Sequence, residues 1–375
     1  MADSLMESCV VGSDWVSRFR RSVRRWYSRH GRQLPWVGQS DPYTVWVREI
    51  MLQQTTVTAV VPYLDRFLAR FPNVETLASA TPDEVLREWE GLGYYTRARN
   101  LWKAAGVVVG EWGGTWRQSA EELEALPGVG RYTAGAIASF AFEQAAPIVE
   151  ANTARLFARL IALPVVPSSS EGRKRLWSLA ERVVPRVRPG EFNQALIDLG
   201  ATVCGVEARC EVCPVRSCCE SLERDLVERV PLRVPRADTT DVFEVMLVMR
   251  REREVFVIRH PEGERWGGLW GFPSWERSSP PSCTAGEAVR IQRDVAAWGC
   301  DVEFLEWQKP FRHSVTRFRL HLQPIAVHWQ SGEWLGAQPG EWVSLDELEN
   351  RPFAVASRRI ARRIESARGQ GNGVM

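Results

Sequence analysis

The residue types best suited to chemistry in this chain are its cysteines and two of its carboxylates. Five of eight cysteines, Cys204, Cys210, Cys213, Cys218 and Cys219, fall within sixteen residues. Met1 to Asp14 mixes acids, serines and Gly12 with no apolar stretch, so neither a secretory signal nor disulfides are expected. The spacing Cys204-x5-Cys210-x2-Cys213-x5-Cys219 gathers four thiolates on one short loop, as soft-metal coordination requires, and it fits zinc or a [4Fe–4S] cluster. Cys218 competes with Cys219 for the fourth place, while Cys9, Cys283 and Cys300 stand alone as ordinary thiols. Glu49 lies in VWVREIMLQQT, one helical turn from Gln53 and amid mostly apolar neighbours. A carboxyl so placed tends to stay protonated, as a general acid must; the plainer alternative is a partly exposed surface acid. Glu150 precedes Ala151 and Asn152 at the start of a helix expected over residues 153–160. There the helix dipole favours an ionised side chain, unless Glu150 merely caps the helix.

The elements that must position these residues change character along the chain. From Trp15 to Tyr27, Trp15, Phe19, Val23, Trp26 and Tyr27 recur at helical spacing with arginines on the other faces, which predicts an amphipathic helix. Helical signals continue to about residue 225: Asp41-Pro42 and Thr81-Pro82-Asp83-Glu84 suit helix starts, and Ser119 with Glu122 makes a capping box. Leu126-Pro127-Gly128-Val129-Gly130-Arg131 precedes a helix beginning near Tyr132. Gly128 and Gly130 permit a tight turn whose outward amides can cradle a phosphate, or simply join two helices. Between Glu228 and Asp241, two prolines and scattered charge predict a linker. Beyond it, apolar runs at Val242–Met249, Val255–Ile258 and Phe318–Leu322 predict strands. The expected organisation is an all-α domain over residues 14–225, a linker over 226–240 and an α+β domain over 241–365, with a frayed tail from Arg368.

These segments together resemble MutY-type adenine DNA glycosylases of the endonuclease III, helix-hairpin-helix superfamily, over about residues 15–360 and most specifically over the first 225. LPW at Leu34–Trp36, DPY at Asp41–Tyr43 and EIMLQQT resemble the catalytic segment, and GLGYYTRARNL at Gly91–Leu101 is a second match. The PGVG turn resembles the hairpin that positions a duplex without reading its sequence. FNQALIDLGATVC followed by the cysteines resembles the cluster loop, although its first spacing is one residue short. The resemblance implies a [4Fe–4S] cofactor on Cys204, Cys210, Cys213 and Cys219. It implies that Glu49 protonates adenine and helps activate water, that Gln53 wedges into the duplex beside a substrate pocket including Leu34 and Trp36, and that Gln194 lies near the departing base. Tyr94 would stack beside the lesion, core packing being the plainer role for two adjacent tyrosines. Glu150 stands where the family has aspartate. It would stabilise the oxocarbenium-like sugar, with Asn152 orienting it, so that acid and anion divide the work, though its longer side chain departs from the pattern. Tyr132 replaces the lysine with which strand-cutting members form a Schiff base, which implies hydrolysis by water.

WGGLWGFP at Trp266–Pro273 resembles the opening of a NUDIX-type fold. The stretch GEAVRIQRDVAAWG, Gly286–Gly299, lacks the paired glutamates of a working metal-dependent hydrolase, so the domain is expected to recognise rather than cut. Phe311–Phe318 aligns with the family's 8-oxoguanine-reading loop. Thr316 keeps a hydroxyl, Val315 an apolar wedge and Arg317 a cation there, the plainer alternative being an ordinary β-hairpin.

Composition sets the outer bounds. With 375 residues the chain exceeds what one core usually holds, and a net charge of +2 is too small to announce a nucleic-acid partner. Arginines crowd between Arg18 and Arg32. Because only Lys103, Lys174 and Lys309 are lysines, arginine use reads more plainly as codon bias than as a binding surface. No apolar run approaches the roughly 18 residues of a membrane span. The expectation is a cytoplasmic monomer that removes adenine opposite 8-oxoguanine or guanine from double-stranded DNA in base-excision repair. The rivals are a bifunctional endonuclease III-like glycosylase for oxidised pyrimidines and a damage-binding protein that has lost catalysis. Because Tyr132, not a lysine, stands directly after Arg131, strand breakage should require added alkali or heat, and borohydride should trap no covalent DNA adduct. Efficient trapping, lost on replacing Lys103, Lys174 or Lys309, would contradict the expectation of a monofunctional enzyme.

Overall fold

The structure is a computed structural model that describes residues 12–234 and 238–371. Cys9 and the tail from residue 372 lie outside the described residues. Two units emerge, one from residues 12–79 and 100–234, the other from 80–99 and 238–371.

The first unit is helical. Its α1 (Ser13–His30) buries Val16, Phe19, Val23 and Trp26, the stripe its sequence spacing dictates. The opposite face carries arginines with structural work: Arg20 Nε donates to the Val183 carbonyl at 2.8 Å and its Nη2 to the Val184 carbonyl at 2.8 Å. In α2 (Pro42–Leu52), capped by Asp41 accepting from the Thr44 amide at 2.8 Å, every residue from Tyr43 to Met51 is buried except half-buried Thr44. That near-complete burial explains why its apolar pattern runs on instead of alternating.

The chain continues through α3 (Val57–Arg70), α4 (Val74–Ser79), α5 (Pro82–Trp89), α6 (Thr96–Gly110) and the short α7 (Ala120–Leu123). Thr81 and Glu84 complete a capping box at α5, worth on the order of 1 kcal/mol. The Leu126–Arg131 turn then leads into α8 (Arg131–Phe142), with Gly128 at φ +77° and Gly130 as N-cap. A Cβ on Gly128 would lie 2.6 Å from that of Asn100, so both its backbone angle and its surroundings demand glycine.

Then come α9 (Ala151–Leu160), α10 (Ser170–Val183), α11 (Pro189–Thr202) and α12 (Glu220–Glu223). Phe19, Trp26, Phe157, Leu179, Phe192 and Leu196 form the core between α1, α9, α10 and α11. Gly200 lets α11 approach the start of α9 closely: a Cβ there would come within 2.6 Å of the Asn152 carbonyl oxygen. Val230, in the stretch expected to be a linker, is buried in this same core.

The second unit is a mixed sheet between two helices. Its strands are β1 (Thr240–Arg251), β2 (Glu254–Arg259), β3 (Trp270–Gly271), β4 (Ser274–Arg277), β5 (Cys300–Trp307), β6 (Phe311–Val315), β7 (Phe318–Gly332) and β8 (Gly340–Ser344). β1 runs parallel to β7; the other pairings are antiparallel. Met246 and Val248 enter one core with Ile360 and Ile364 of α14 (Val355–Gly371), whereas Val245, Leu247 and Met249 enter the other with Ile291 and Val295 of α13 (Ala285–Ala296). Covering both faces turns alternation into the continuous apolar run seen in the sequence. α14 extends to Gly371, so residues 368–371, expected to be frayed, are helical.

The segment 80–99, which the sequence places within the helical domain, packs into this second unit. Asp83 pairs with Arg259 at 2.6 Å, Glu90 with Arg358 at 2.7 Å, and Arg99 donates to the Gly267 carbonyl at 2.5 Å. These polar partners lie more than 160 positions away in sequence, beyond the reach of local patterns.

Candidate active site

A cleft in the first unit is lined by Arg32, Leu34, Trp36, Glu49, Gln53, Tyr132, Glu150, Asn152 and Gln194. Residues from α2, α8, α9 and α11 thus meet there, as does the loop before α2.

Glu49 is only 3% exposed. Its Oε1 accepts from Arg48 Nε and Nη2, both at 3.0 Å, and its Oε2 accepts from the Tyr132 hydroxyl at 2.8 Å. The surroundings are therefore not the unpaired apolar ones expected from the sequence: Arg48, 2% exposed, is a full charge partner, its guanidinium 5.6 Å from the Trp36 ring and 5.4 Å from the Phe140 ring. Adjacent residues on a helix do not ordinarily face one another, so the spacing gives no cue to this pair. Burial, then the charge of Glu49, holds the Tyr132 phenol well above its ordinary range, which keeps it a donor. Gln53 at the end of α2 donates to Thr133 Oγ1 at 3.1 Å, tying α2 to α8.

Glu150 is the N-cap of α9. Its Oε1 accepts from the Thr153 amide at 2.8 Å and its Oε2 from Asn152 Nδ2 at 3.2 Å, while its own amide donates to Thr153 Oγ1 at 2.9 Å. Capping and cleft lining therefore coexist in one side chain. Burial raises the Glu150 carboxyl above its ordinary value; the amides of Asn152 and Thr153 and the charge of Arg155 oppose this without overcoming it. The helix terminus alone had suggested the opposite direction, and desolvation is the larger effect.

Behind these groups stand residues the sequence did not single out. Buried Asp198 accepts from Arg32 Nε at 2.8 Å and from Gln194 Nε2 at 2.9 Å, fixing both side chains at the cleft wall. Arg155 Nη2 donates to Asn152 Oδ1 at 2.9 Å and to the Gly200 carbonyl at 2.7 Å, and its Nε donates to the Cys204 carbonyl at 2.8 Å. A buried Asp one turn after Gln194 on a helix was the available signal for the first; nothing local marks the second.

Cys204, Cys210, Cys213 and Cys219 line one further cavity with Leu156, Leu160, Val203, Val215 and Arg159; Cys218 does not line it. Arg159 Nη1 lies 3.5 Å from Cys204 Sγ and donates to the Gly205 carbonyl at 2.7 Å. The thiols line this space without converging: among the described residues no three His, Cys, Asp or Glu side chains are gathered as a single ion requires. Four thiols lining one cavity, with a buried cation against them, fit an anionic thiolate-ligated group.

A family model described as the HhH-GPD superfamily base excision DNA repair protein matches residues 47–182, and one described as a NUDIX domain matches residues 244–363. An adenine DNA glycosylase from Mus musculus is 45% identical over 409 aligned positions, covering 94% of this chain and 79% of its own. One from Buchnera aphidicola is 31% identical over 311 positions, covering 82% of this chain and 86% of its own. This chain belongs to the adenine DNA glycosylase family.

Among solved structures, a thermostable thymine-DNA glycosylase is 29% identical with a TM-score of 0.50, covering 56% of this chain and 97% of its own. In the present chain a further cavity lies wholly within the second unit, lined by Tyr94, Tyr95, Arg265, Trp266, His313, Val315 and Thr316. Tyr94 has a left-handed backbone and is 48% exposed, whereas Tyr95 is buried; of the two tyrosines only the second packs in the core. β6 and β7 form the hairpin at Thr316, whose hydroxyl donates to the Val315 carbonyl at 2.7 Å. On α13, Glu287 and Asp294 of the glycosylase both pair with Arg277, at 2.5 and 3.3 Å. Among the described residues, no helix is long and apolar enough to cross a membrane.

Arg48→Met keeps the bulk of this side chain but leaves the Glu49 carboxylate buried without its cation. Loss of one partner of a buried pair costs about 3–5 kcal/mol, so denaturant unfolding should shift by that amount. An unchanged midpoint would show that the pair does not hold α2 in place.

Proposed function

We propose that this glycosylase hydrolyses the N-glycosidic bond of adenine opposite 8-oxoguanine or guanine in duplex DNA, without cutting the strand. The observation that carries the proposal is the pairing, in one cleft, of buried Glu49 with N-capping Glu150, in a chain whose full-length relatives are adenine DNA glycosylases.

Glu49, the anionic partner of Arg48 in the resting cleft, first takes up a proton from solvent; its carboxyl then delivers that proton to a ring nitrogen of adenine as the bond to the sugar breaks and its electron pair leaves with the base. Both Glu49 oxygens accept hydrogen bonds in the resting cleft, so one contact must yield. Tyr132 lines the cleft beside Oε2, and its hydroxyl is the contact that adenine displaces. The sugar cation faces the Glu150 carboxylate, held by the Thr153 amide and Asn152, until water attacks and gives its proton to Glu49. Trp36 and Leu34 wall the base pocket, Gln194 meets the departing base, and Gln53 wedges into the stack. Gly128 and Gly130 present amides to a phosphate, while Tyr94 and Thr316 serve lesion recognition.

Cys204, Cys210, Cys213 and Cys219 would hold a [4Fe–4S] cluster. When bound, such a cluster supplies four sulfur bonds that close the loop into a fixed shape. Arg155 and Arg159 hold this loop from the side of α9.

Purified protein incubated with duplexes bearing adenine opposite 8-oxoguanine, adenine opposite guanine, or thymine glycol should release base from the first two. Release from thymine glycol alone would overturn the proposal. Cys213→Ser should lose iron, visible absorbance and duplex binding together, because an opened loop no longer presents Arg209 and Arg216. Stoichiometric zinc in a colourless, fully active protein would refute the cluster.

A further inference from the structure

The second unit gathers basic side chains that no acid in it neutralises. Arg359, Arg362 and Arg363 lie three and four positions apart on α14 and therefore share one face, and Lys309 sits just before β6. Among the described residues, no carboxylate lies within ion-pair distance of these four. Elsewhere in the unit several arginines do have acidic partners: Arg259 has Asp83, Arg265 has Glu244, Arg277 has Glu287, and Arg351 has Glu341; among the described residues Arg312 and Arg317, on and beside β6, share with these four the lack of an acid within ion-pair distance.

Two of the four, Arg359 and Arg363, are also held in place. The guanidiniums of Arg359 and Arg363 lie 4.6 and 5.5 Å from the centroid of the Phe311 ring, and Arg363 Nη1 donates to the Lys309 carbonyl at 3.1 Å. Stacked guanidiniums lose less freedom on binding, and their planar forks match phosphate oxygens. Concentrating like charge without counter-charge works against the folded unit, a cost that an anion would relieve.

Position indicates which anion. Phe311 begins β6, and Val315 at its other end forms the hairpin rim of the cavity containing Tyr94. Four residues of strand separate the two by about 14 Å. Duplex DNA carries one charge per about 1.7 Å of its axis, so a duplex seated on the hairpin presents several phosphates over that span.

We propose that Lys309, Arg359, Arg362 and Arg363 form a phosphate-binding ridge that grips the duplex backbone beside the hairpin. This rests on the hairpin facing DNA, as in the function proposed above. The ridge contributes affinity without sequence preference, and it takes no part in the chemical step.

The test uses full-length protein, an undamaged duplex as probe, and dissociation constants measured between 50 and 200 mM salt. Each lost phosphate contact should reduce the slope of log affinity against log salt by about 0.9, so the Arg359→Gln/Arg363→Gln variant should lose about 1.8. Over that salt range wild type should then lose about tenfold more affinity than the variant. Single-turnover base release at saturating protein, measured on adenine opposite 8-oxoguanine, should be unchanged. Arg290→Gln, which removes a charge already paired with Glu287, should leave the slope as in wild type. Equal slopes for wild type and the double variant would overturn the ridge while leaving the glycosylase assignment standing. An equal loss per charge in Arg290→Gln would overturn it too, by showing a mere net-charge effect. Wild type that binds no duplex would remove both the ridge and the functional reading beneath it.

Discussion

Keeping two carboxylates out of bulk water in one cleft is the constraint on which the first unit depends. An unpartnered buried charge would cost several kcal/mol, so each must be met by donors from fixed backbone. Glu49 receives Arg48 from its own helix and Tyr132 from α8; Glu150 receives the Thr153 amide and Asn152 from the first turn of α9. Glu49 therefore ties α2 to α8, whereas Glu150 is satisfied within the first turn of α9. α9 packs in turn on α11, where Gly200 leaves room for Asn152.

The same constraint makes α9 a mechanical link. At its first turn it presents Glu150 to the cleft. Farther along, Arg155 grips the carbonyls of Gly200 and Cys204, and Arg159 those of Gly205, Val206 and Val230. Ten residues, Glu150 to Arg159, thus join the cleft to the cysteine loop. A group bound by the four thiols, as proposed, would stiffen the loop and so steady Glu150 without itself taking part in hydrolysis.

Much of this was legible in the sequence because it is local. The α1 stripe, the Asp41 and Thr81 caps, the turn at Gly128 and the change to strand pattern near residue 240 all follow from spacing and residue type within a few positions. The four-cysteine loop was legible for the same reason, and the structure puts Cys219, not Cys218, on the shared cavity. The remainder depends on tertiary packing. Arg48 folds back on its neighbour Glu49, Asp198 reaches Arg32 across 166 positions, and Asp83 and Glu90 carry the 80–99 segment into the second unit. The direction of the Glu150 shift was misjudged because a helix amino terminus is visible in sequence, whereas the depth at which it is buried is not.

The claim at the centre of this account is that Glu150, longer by one methylene than the aspartate of the family pattern, is the anion that meets the sugar cation. Single-turnover release of adenine opposite 8-oxoguanine by wild type, Glu150→Gln and Glu150→Asp tests it most directly. The Gln variant should bind duplex normally yet lose roughly 10²-fold or more in rate, as removal of transition-state electrostatics typically does. The Asp variant should also be slower, because a displacement of about 1 Å can itself cost around 10²-fold. Equal rates for all three proteins would reduce Glu150 to a helix cap and remove it from the mechanism.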